Sequence, residues 1–368
     1  EKIKHLFLKT GLAKNKKELL LGSSRIDIAA LIICEAIRKN LTLEGEALFY
    51  LPLSLFLNDG AHKGFRSLLT DNSFSLNYIC DYKNYSVFPD VSTRYGFASF
   101  TKGKKTTFPI DYYFINNSEI IDHRQASPIG ERTSPFIIYN FNEKTKIPCI
   151  RIKEENRPRQ GLNTCGANRL FIFDTMESLE NDLARVANKE ISAILPTELL
   201  YPLIGADQFK KNEKNRYVFL PYKRNGRVLS EEELMKFPEA FRYVKKHKKT
   251  LINRKGVLIQ NAIKRGTWWS LLGIGPYSFS PWKVVWEAYG KKGFKAEIFS
   301  EKSGTLWQPN QALQAFIPLQ NKEDAERIAG ELNNPIIEKL LKDQGMEGTC
   351  NWAQPGRMMK FFRIKDET

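Results

Sequence analysis

The sequence lacks the motifs by which many enzyme classes are recognised. It contains no G-x-G-x-x-G loop after a strand, no P-loop, no G-x-S-x-G elbow and no H-E-x-x-H pair. The glycines Gly273 and Gly275 are followed by Pro276 rather than by a helix start, so they do not predict a nucleotide site. Asp81 and Asp90 lie in segments typical of turns, and we interpret them as surface charges. No catalytic residue is predicted in this chain.

Metal-binding and disulfide-forming residues are scarce. The 5 cysteines and 4 histidines are scattered, and no C-x-x-C pair occurs. This pattern predicts free thiols in a reducing compartment and no bound metal. The chain also lacks a signal peptide and any apolar run of about 18 residues, the length that a membrane helix needs. We therefore expect a soluble cytoplasmic protein without a membrane partner.

Negative charge is in short supply. There are 57 Lys and Arg residues against 41 Asp and Glu, which gives a formal net charge of +16. Such a surplus attracts polyanions and speeds association with them. Nucleic acid is the favoured partner, while an anionic membrane or plain solubility remain alternatives. At 368 residues with 42% hydrophobic content, the chain can form two packed domains.

The densest basic stretch covers residues 241–265. Uncompensated charge of this kind suits contact with DNA phosphates, because each contact releases counterions. The alternative is a solvated helix face. The stretch has nine cations and no acidic residue: Arg242, Lys245, Lys246, Lys248, Lys249, Arg254, Lys255, Lys264 and Arg265.

Aromatic residues follow directly in residues 265–295. Four of the 6 tryptophans lie here, namely Trp268, Trp269, Trp282 and Trp286, among further cations. Rings beside cations suit stacking on bases and contact with the backbone, although they can equally form a small core. For Trp282 and Trp286 we favour the core, because SPWKVVW alternates in polarity. A glycine and proline turn presents Tyr277.

Local patterns predict the order of elements. RIDIAALIICEAIRK, with Ile26, Ala29, Ala30, Ile33 and Ile37 on one stripe, predicts a helix. EALFYLPLSLF predicts a buried strand, AHKGFRSLLTD a helix, and SLNYICDY, YGFASFTKG and PIDYYFI strands. Beyond a junction near residue 150, RLFIFD predicts a strand, MESLENDLARVANK a helix, and Ser230 with Glu233 a capping box.

Several of these strings together resemble the gamma-class adenine-specific (N6) DNA methyltransferases of type II and IIG restriction-modification systems. RIDIAALIICEAIRKNLTLEGEALFYLPLSLF resembles the segment after the family's catalytic motif, and NYSVFPDVSTRYGFASFTKG resembles a late catalytic motif. GLNTCGANRLFIF, GADQF, YVFLPY, WWSLLGIGPYSFSPWKVVW and FIPLQNKEDAERIAGELNNPII are similar to parts of a Taq-type target-recognition domain. The similarity follows the family's order over nearly the whole chain.

The resemblance implies an α/β remnant of a Rossmann-like methyltransferase sheet, residues 1–150, followed by an α+β target-recognition domain, residues 151–368. It also implies that Phe88 stacks on a flipped adenine. The family's cofactor motif and its Asn/Asp-Pro-Pro-aromatic motif are absent from this sequence. We therefore expect a fragment or one half of a split enzyme, in which the parent uses S-adenosylmethionine and this chain neither binds it nor methylates alone.

The expected partners are double-stranded DNA and, as a further possibility, the missing catalytic half or a restriction subunit. Base modification within a duplex needs an apolar surface for the extruded base, where Tyr85 is a weaker candidate than Phe88, and a second surface for flanking DNA. Two alternatives stay open: a non-catalytic DNA-specificity subunit, and an RNA-binding or RNA-modifying module. The candidate DNA-binding residues are Lys210, Lys211, Arg216, Arg224, Lys248, Arg254, Lys264, Arg265, Trp269, Tyr277 and Lys283.

Overall fold

The chain forms two compact units that both combine helices with β-sheets. The first comprises Glu1–Ile152 and Asn334–Lys365, and the second comprises Lys153–Asn333. Both are mixed α/β. The computed structural model describes residues 2–13, 28–58, 62–82, 85, 87–88, 93–117, 119–141, 147–205, 216–288, 293–301, 306–310, 314–344 and 353–364.

A six-stranded sheet organises the first unit, in the order β1-β3-β2-β4-β5-β6. The pair β2 and β4 is parallel, whereas the other neighbours run antiparallel. The three strand-like segments predicted between residues 75 and 115 are confirmed. The strands are β1 Glu46–Pro52, β2 Phe74–Asp81, β3 Tyr95–Lys102, β4 Ile110–Asn116, β5 Glu119–Pro128 and β6 Phe136–Tyr139.

Helices complete the core of this unit. Ala30, Ile33 and Ile37 of the predicted stripe are buried against the apolar cluster that contains Phe56 and Phe100, which confirms that helix. Ile26 lies outside the described residues. The second predicted helix is also confirmed. The helices are α1 Lys2–Lys9, α2 Ile28–Asn40, α3 Ser54–Leu57 and α4 Lys63–Leu68.

Strand β1 differs from its prediction as a buried strand. Leu48 and Tyr50 are 61% and 60% exposed, whereas Leu51 is buried. Within the described residues β1 pairs with β3 alone, so it is an edge strand with one exposed face. An aromatic and aliphatic run is therefore no guarantee of burial on both faces.

The second unit contains three small sheets, ordered β10-β11-β12, β17-β13-β14-β9 and β16-β15-β18-β8. Between β14 and β15 lies a helical segment, followed by a turn. The strands are β8 Arg159–Gln160, β9 Ile172–Phe173, β10 Thr175–Ser178, β11 Leu183–Ala187, β12 Ser192–Pro196, β13 Leu200–Ile204, β14 Arg216–Phe219, β15 Trp282–Glu287, β16 Ala296–Ser300, β17 Gln308–Pro309 and β18 Gln314–Leu319. The helices are α5 Asn168–Phe171, α6 Glu231–Met235, α7 Pro238–Lys246, α8 Lys248–Ile252, α9 Val257–Lys264 and α10 Lys322–Leu332.

The helix predicted for MESLENDLARVANK is wrong, because this segment forms the antiparallel pair β10 and β11. Asn181 and Asp182 have φ of 59° and 55°, which is the left-handed conformation of a tight hairpin turn. Ala184 and Val186 alternate with exposed residues and are fully buried. RLFIFD likewise starts as the short helix α5 and only then becomes strand β9.

The predicted capping box at the start of α6 is confirmed. The Glu233 N–H donates to Ser230 Oγ at 3.2 Å, and the Ser230 N–H donates to Glu233 Oε2 at 2.9 Å. These two bonds satisfy amide groups that have no partner within the helix. The helical segment therefore starts at a fixed point.

Residues 334–365 pack in the first unit, whereas the sequence predicts one domain over residues 151–368. Strand β19, Phe362–Ile364, pairs in parallel with β7, Ile150–Ile152, and this ladder joins the chain's end to the first unit. Buried Ile337 and Leu340 belong to the same returning segment. Its helices are α11 Pro335–Gln344, which packs on β6, and α12 Pro355–Met358.

The described residues contain neither a membrane span nor a metal cluster. None of the helices placed there is long and apolar enough to cross a bilayer. The same part of the chain holds no group of three or more side chains of the His, Cys, Asp and Glu types that could bind a metal ion.

Candidate nucleic-acid interface

The basic segment, residues 241–265, covers α8, α9 and most of α7 in the second unit. Eight of its nine cations are exposed, the exception being Arg254. Of these eight, Arg242 forms an ion pair with the Glu239 carboxylate at 2.9 Å, and none of the other seven has a carboxylate partner among the described residues. The seven remaining exposed cations are Lys245, Lys246, Lys248, Lys249, Lys255, Lys264 and Arg265.

Arg254 is buried and bonds to backbone carbonyls within the second unit. It is 5% exposed, and its guanidinium donates to the carbonyl oxygens of Thr164, Trp268, Ser270 and Leu251 at 2.7 to 3.1 Å. Burial lowers the pKa of Arg254. Arg254 is therefore buried by the fold, which argues against the predicted DNA contact at this residue.

Two other predicted DNA contacts are buried. Trp269 is 1% exposed, and its Nε1 donates to the Leu229 carbonyl at 3.1 Å. Lys283 is 2% exposed, and its Nζ donates to the Ser280 carbonyl at 2.7 Å. Burial lowers the pKa of Lys283 to about 7. Both are buried within the second unit, and Lys283 is one of four consecutive buried residues of β15, so this strand is covered on both faces.

Tyr277 lies at the turn between the basic segment and β15. It is half-buried, and the guanidinium of Arg159 lies 4.8 Å from its ring centre. This contact occupies one face of the ring. Trp286 is fully buried, as expected for a core residue, and Trp282 is half-buried.

The other predicted cations of the second unit are exposed. Arg216 forms an ion pair with Asp174 at 3.0 Å. Lys248 lies 5.4 Å from the ring centre of Trp268. Lys264 and Arg265 lie at the end of α9, and the Arg265 Nε donates to the Asn261 carbonyl at 3.2 Å. Lys210 and Lys211 lie outside the described residues.

Arg224 stands at the tip of a short hairpin beside a cavity. The Gly226 N–H donates to the Lys223 carbonyl, and Gly226 has φ of 80°, which a residue with a side chain rarely adopts. The adjoining cavity has a volume of about 720 Å³. Tyr217 and Trp307 line it together with Arg224. Rings and cations thus share one concave surface within the second unit.

Beside that cavity the carboxylate of Glu233 forms ion pairs with two cations. Glu233 Oε1 contacts both Lys223 and Arg227 at 2.5 Å. Hydrogen bonds from Arg227 and Lys223 lower the pKa of Glu233. Two of the nearby cations are therefore neutralised, whereas Arg224 has no carboxylate within ion-pair distance among the described residues.

Phe88 lies in an exposed cluster of rings in the first unit. Its side chain is 43% exposed, and its ring centre lies 5.9 Å from that of Tyr50 and 5.3 Å from that of Tyr95. The Phe88 N–H donates to the Tyr95 hydroxyl at 2.8 Å. These contacts position Phe88 while leaving part of its ring accessible.

The remaining rings of this cluster follow from strand register. Tyr50 of β1 lies opposite Phe97 of β3, so both point to the same face of the sheet. Tyr82 follows β2, stacks on Tyr50 and exchanges a hydroxyl hydrogen bond with it at 3.1 Å. The Tyr85 hydroxyl donates to Asn117 Oδ1 at 2.7 Å. The ring cluster is therefore Tyr50, Tyr82, Tyr85, Phe88, Tyr95 and Phe97.

Sequence reasoning identifies Phe88 and Tyr85 but misses their neighbours. Tyr50 falls in a strand predicted to be buried, and the uninterrupted apolar and aromatic run from Ala47 to Pro52 carries no alternation that would have indicated an exposed face. In the second unit the exposed Val257 and Leu258 are also missed. The available sign of this exposed pair was its position, directly after a glycine and within a basic segment.

No protein-family model matches the chain. Over 289 residues it is 35% identical to the type II methyltransferase M.NspV of a Nostoc species, a match that covers 75% of this chain and 57% of that protein. The chain is related to the type II methyltransferases. It spans little more than half the length of this relative. It is also 26% identical over 199 residues to a subunit of an ATP-dependent helicase/deoxyribonuclease of Pediococcus pentosaceus, covering 48% of the chain and 15% of that protein.

Solved structures give weak matches. The type IIL restriction-modification enzyme MmeI in complex with DNA matches with a TM-score of 0.46 and 12% identity, covering 91% of this chain and 41% of that one. The type IIG restriction endonuclease BpuSI matches with a TM-score of 0.26 and 14% identity, over 89% and 41%. At these TM-scores the similarity does not establish a common fold.

Proposed function

We propose that this chain provides DNA binding and target-sequence recognition within an S-adenosylmethionine-dependent adenine-N6 DNA methyltransferase of a restriction-modification system. The observation that carries the proposal is that residues 241–265 contain seven exposed cations without a carboxylate partner among the described residues. The relationship to a type II methyltransferase supports the enzyme class. In this proposal the second unit, residues 153–333, is the recognition domain.

Unpaired surface cations suit a polyanion for a thermodynamic reason. An exposed cation already held by a carboxylate has to lose that contact before it meets a phosphate, whereas an unpaired one does not. Each phosphate contact on duplex DNA releases condensed counterions, so affinity falls steeply as salt rises. The basic segment therefore supplies sequence-independent affinity, and other groups supply base preference.

The ring cluster of the first unit supports the methyltransferase part of the proposal. An enzyme that modifies a base within a duplex extrudes that base and receives it on an apolar or aromatic surface. Phe88, held by Tyr95 and Tyr50, offers such a surface. We propose that it stacks on the extruded adenine in the complete enzyme.

The cofactor itself does not fit this ring cluster. S-adenosylmethionine carries ribose hydroxyls and charged groups, which need carboxylates or free amides as partners. Phe88 contacts the rings of Tyr50 and Tyr95, and the hydroxyls of Tyr50, Tyr82 and Tyr85 are already hydrogen-bonded to one another or to Asn117. No step of methyl transfer is assigned to residues of this chain.

A binding experiment tests the proposal. Fluorescence anisotropy with a labelled random-sequence duplex is expected to show micromolar or tighter binding at low salt, with a steep loss as salt rises. Replacing Lys246 and Lys249 by alanine should reduce the slope of log K against log salt by about 0.9 for each lost contact. Replacing the exposed Lys189 and Lys322 should leave it unchanged.

Two outcomes would contradict the proposal. The first is an absence of duplex binding at low salt. The second is a preference for double-stranded or single-stranded RNA over duplex DNA in competition, which would assign the same surface to an RNA-binding module.

A further inference from the structure

We propose that helix α9, Val257–Lys264, reads DNA bases by placing its exposed face in the major groove. This inference rests on the proposed DNA-binding function and names the element that gives it sequence preference. It concerns the second unit alone. The occupant is duplex DNA, because the exposed cations Lys255, Lys264 and Arg265 lie at the two ends of this helix and no acidic residue lies between residues 241 and 265.

The exposed face of α9 has an unusual composition. Val257 is 79% exposed and Leu258 is 62% exposed, which makes them the two most exposed large hydrophobic side chains described in the second unit. Asn261, Lys264 and Arg265 are exposed as well. Positions three and four residues apart share a helix face, so the apolar pair, the amide and the cations form one continuous stripe.

These apolar side chains contribute little to the fold. Burying a Val or Leu side chain stabilises a protein by roughly 1.5 to 3 kcal/mol, and neither residue gains this in the second unit. The buried side of the helix is supplied by Ile259, which is fully buried. The exposed apolar pair and the cations Lys264 and Arg265 of the same stripe are therefore available to a partner that is both anionic and partly apolar. Duplex DNA, with its phosphates and thymine methyl groups, combines these properties.

The helix is held rigidly, as a recognition element must be. Gln260 Nε2 donates to the carbonyls of Ile252 and Arg254 at 3.3 and 2.5 Å. The Arg254 side chain in turn holds four carbonyls of the core. Thr267 Oγ1 donates to the Ala262 carbonyl at 3.2 Å, near the other end of the helix. The exposed side chains thus project from a fixed support, which limits the entropy lost on binding.

The dimensions and chemistry of α9 match the groove. An α-helix with its side chains is about 10 to 12 Å across, which fits a major groove about 12 Å wide, and the 8 residues of α9 provide about 12 Å of length. Val257 and Leu258 suit contact with a thymine methyl, Asn261 suits paired hydrogen bonds to adenine, and Lys264 with Arg265 suit phosphates. The preceding helix α8 and the four-residue loop 253–256, which ends in Gly256, have the connectivity of a helix-turn-helix motif.

The test compares sequence preference with general affinity, using the full chain. Wild-type protein selects from a pool of random-sequence DNA duplexes, and the enriched sequence is read. Asn261→Ala is expected to reduce preference at one position of that sequence by about 5- to 100-fold. The double variant Val257→Ser and Leu258→Ser should alter preference at neighbouring positions. Both should bind unselected duplex within about twofold of wild type, and Ile194→Ser, an exposed residue of β12, should change neither property.

The cations at the end of α9 give a second readout. Replacing Lys264 and Arg265 by alanine should weaken binding to selected and unselected duplexes by the same factor and lower the salt slope by about 2. Absence of duplex binding by wild type would refute the proposed function itself. Duplex binding without any enriched sequence, or an enriched sequence unchanged in the Asn261 and Val257 with Leu258 variants, would overturn the assignment of α9 alone.

Discussion

The two units use rings and cations in opposite ways. In the first unit, Tyr50, Tyr85 and Phe88 are exposed, whereas several cations are buried. Arg66 is one of these, and it is fully buried while donating to the carbonyls of Thr133, Leu55 and Asn58 at 2.7 to 3.0 Å. This unit therefore presents several accessible rings, and the charge of Arg66 is used to hold backbone segments together.

In the second unit the arrangement is reversed. Trp268, Trp269 and Trp286 are buried, while most cations of the basic segment are exposed. The exception in that segment, Arg254, is buried and donates to backbone carbonyls, as does the buried Lys283 of β15. The difference shows that residue type alone does not determine role. A cation is available to a partner only where it is exposed and is not already buried among backbone carbonyls to which it donates. It also agrees with the proposal that the first unit stacks on a base while the second unit binds the duplex.

The largest expected effect comes from Arg254. Arg254→Met would remove a donor from four buried carbonyls, of which that of Thr164 keeps the Ala167 N–H at 3.3 Å. Each acceptor left without a partner costs roughly 1 to 3 kcal/mol. We expect the free energy of unfolding to fall by about 3 kcal/mol or more, measured by urea denaturation followed by circular dichroism. Lys255→Met, next in the chain but exposed, should change stability by less than about 0.5 kcal/mol. Unchanged stability together with weaker DNA binding would show that Arg254 is a DNA contact after all.

The next effect concerns the exposed rings of the first unit. Phe88→Ala should weaken binding to a duplex that carries one bulged adenine by about 1 to 3 kcal/mol, the contribution of one stacked base. Binding to a fully paired duplex should stay within about twofold. Phe141→Ala removes a ring of similar exposure, 48%, that lies outside the ring cluster, and it serves as the control. Equal losses on both duplexes would argue against base stacking at Phe88.

The last expected effect is a change in the pH dependence of the free energy of unfolding, which should differ between a buried and an exposed lysine of the second unit. Lys283 has a pKa of about 7 because burial disfavours its charged form, an effect that the nearby Glu301 partly offsets. Between pH 7 and about 10 the unfolded chain holds a proton that the folded chain has released, so wild-type stability rises with pH. Lys283→Met removes this dependence, and its stability advantage over wild type should therefore shrink as pH rises.

Urea denaturation at pH 7, 8 and 9 measures that difference. It should change by at most about 1.4 kcal/mol per pH unit. Lys295→Met provides the comparison, because Lys295 is exposed and pairs with Glu297 at 2.7 Å. A pH-independent difference for Lys283→Met would mean that this lysine stays charged in the folded protein.

Much of the fold could be predicted from local patterns. The stripe of Ala30, Ile33 and Ile37 and the capping box at Ser230 carry their own signal within a few residues. The hairpin at Asn181 and Asp182 was missed because its charges also fit a helix with acidic residues early and basic residues late. Local charge could not decide between helix and strand where tertiary packing buried Ala184 and Val186.

The candidate site could be predicted only by region. The basic segment and Phe88 were located, but the sequence could not say that Arg254 and Lys283 are buried while Lys264 is exposed. That distinction depends on carbonyl groups contributed by distant residues, such as Thr164, whose oxygen Arg254 contacts across 90 positions of sequence. Adjacent cations in one stretch can therefore have different roles.

The chain leaves the first unit after β7 and returns to it before β19, which pairs with β7. Residues 153–333 are therefore an insertion whose two ends are both joined to the first unit. An insert attached at both ends can be exchanged as a cassette, provided that both junctions are kept. Deleting everything after residue 333 would instead strip Ile337, Leu340 and β19 from the first unit. Shortening the tail is thus expected to damage the ring-bearing unit before the basic one.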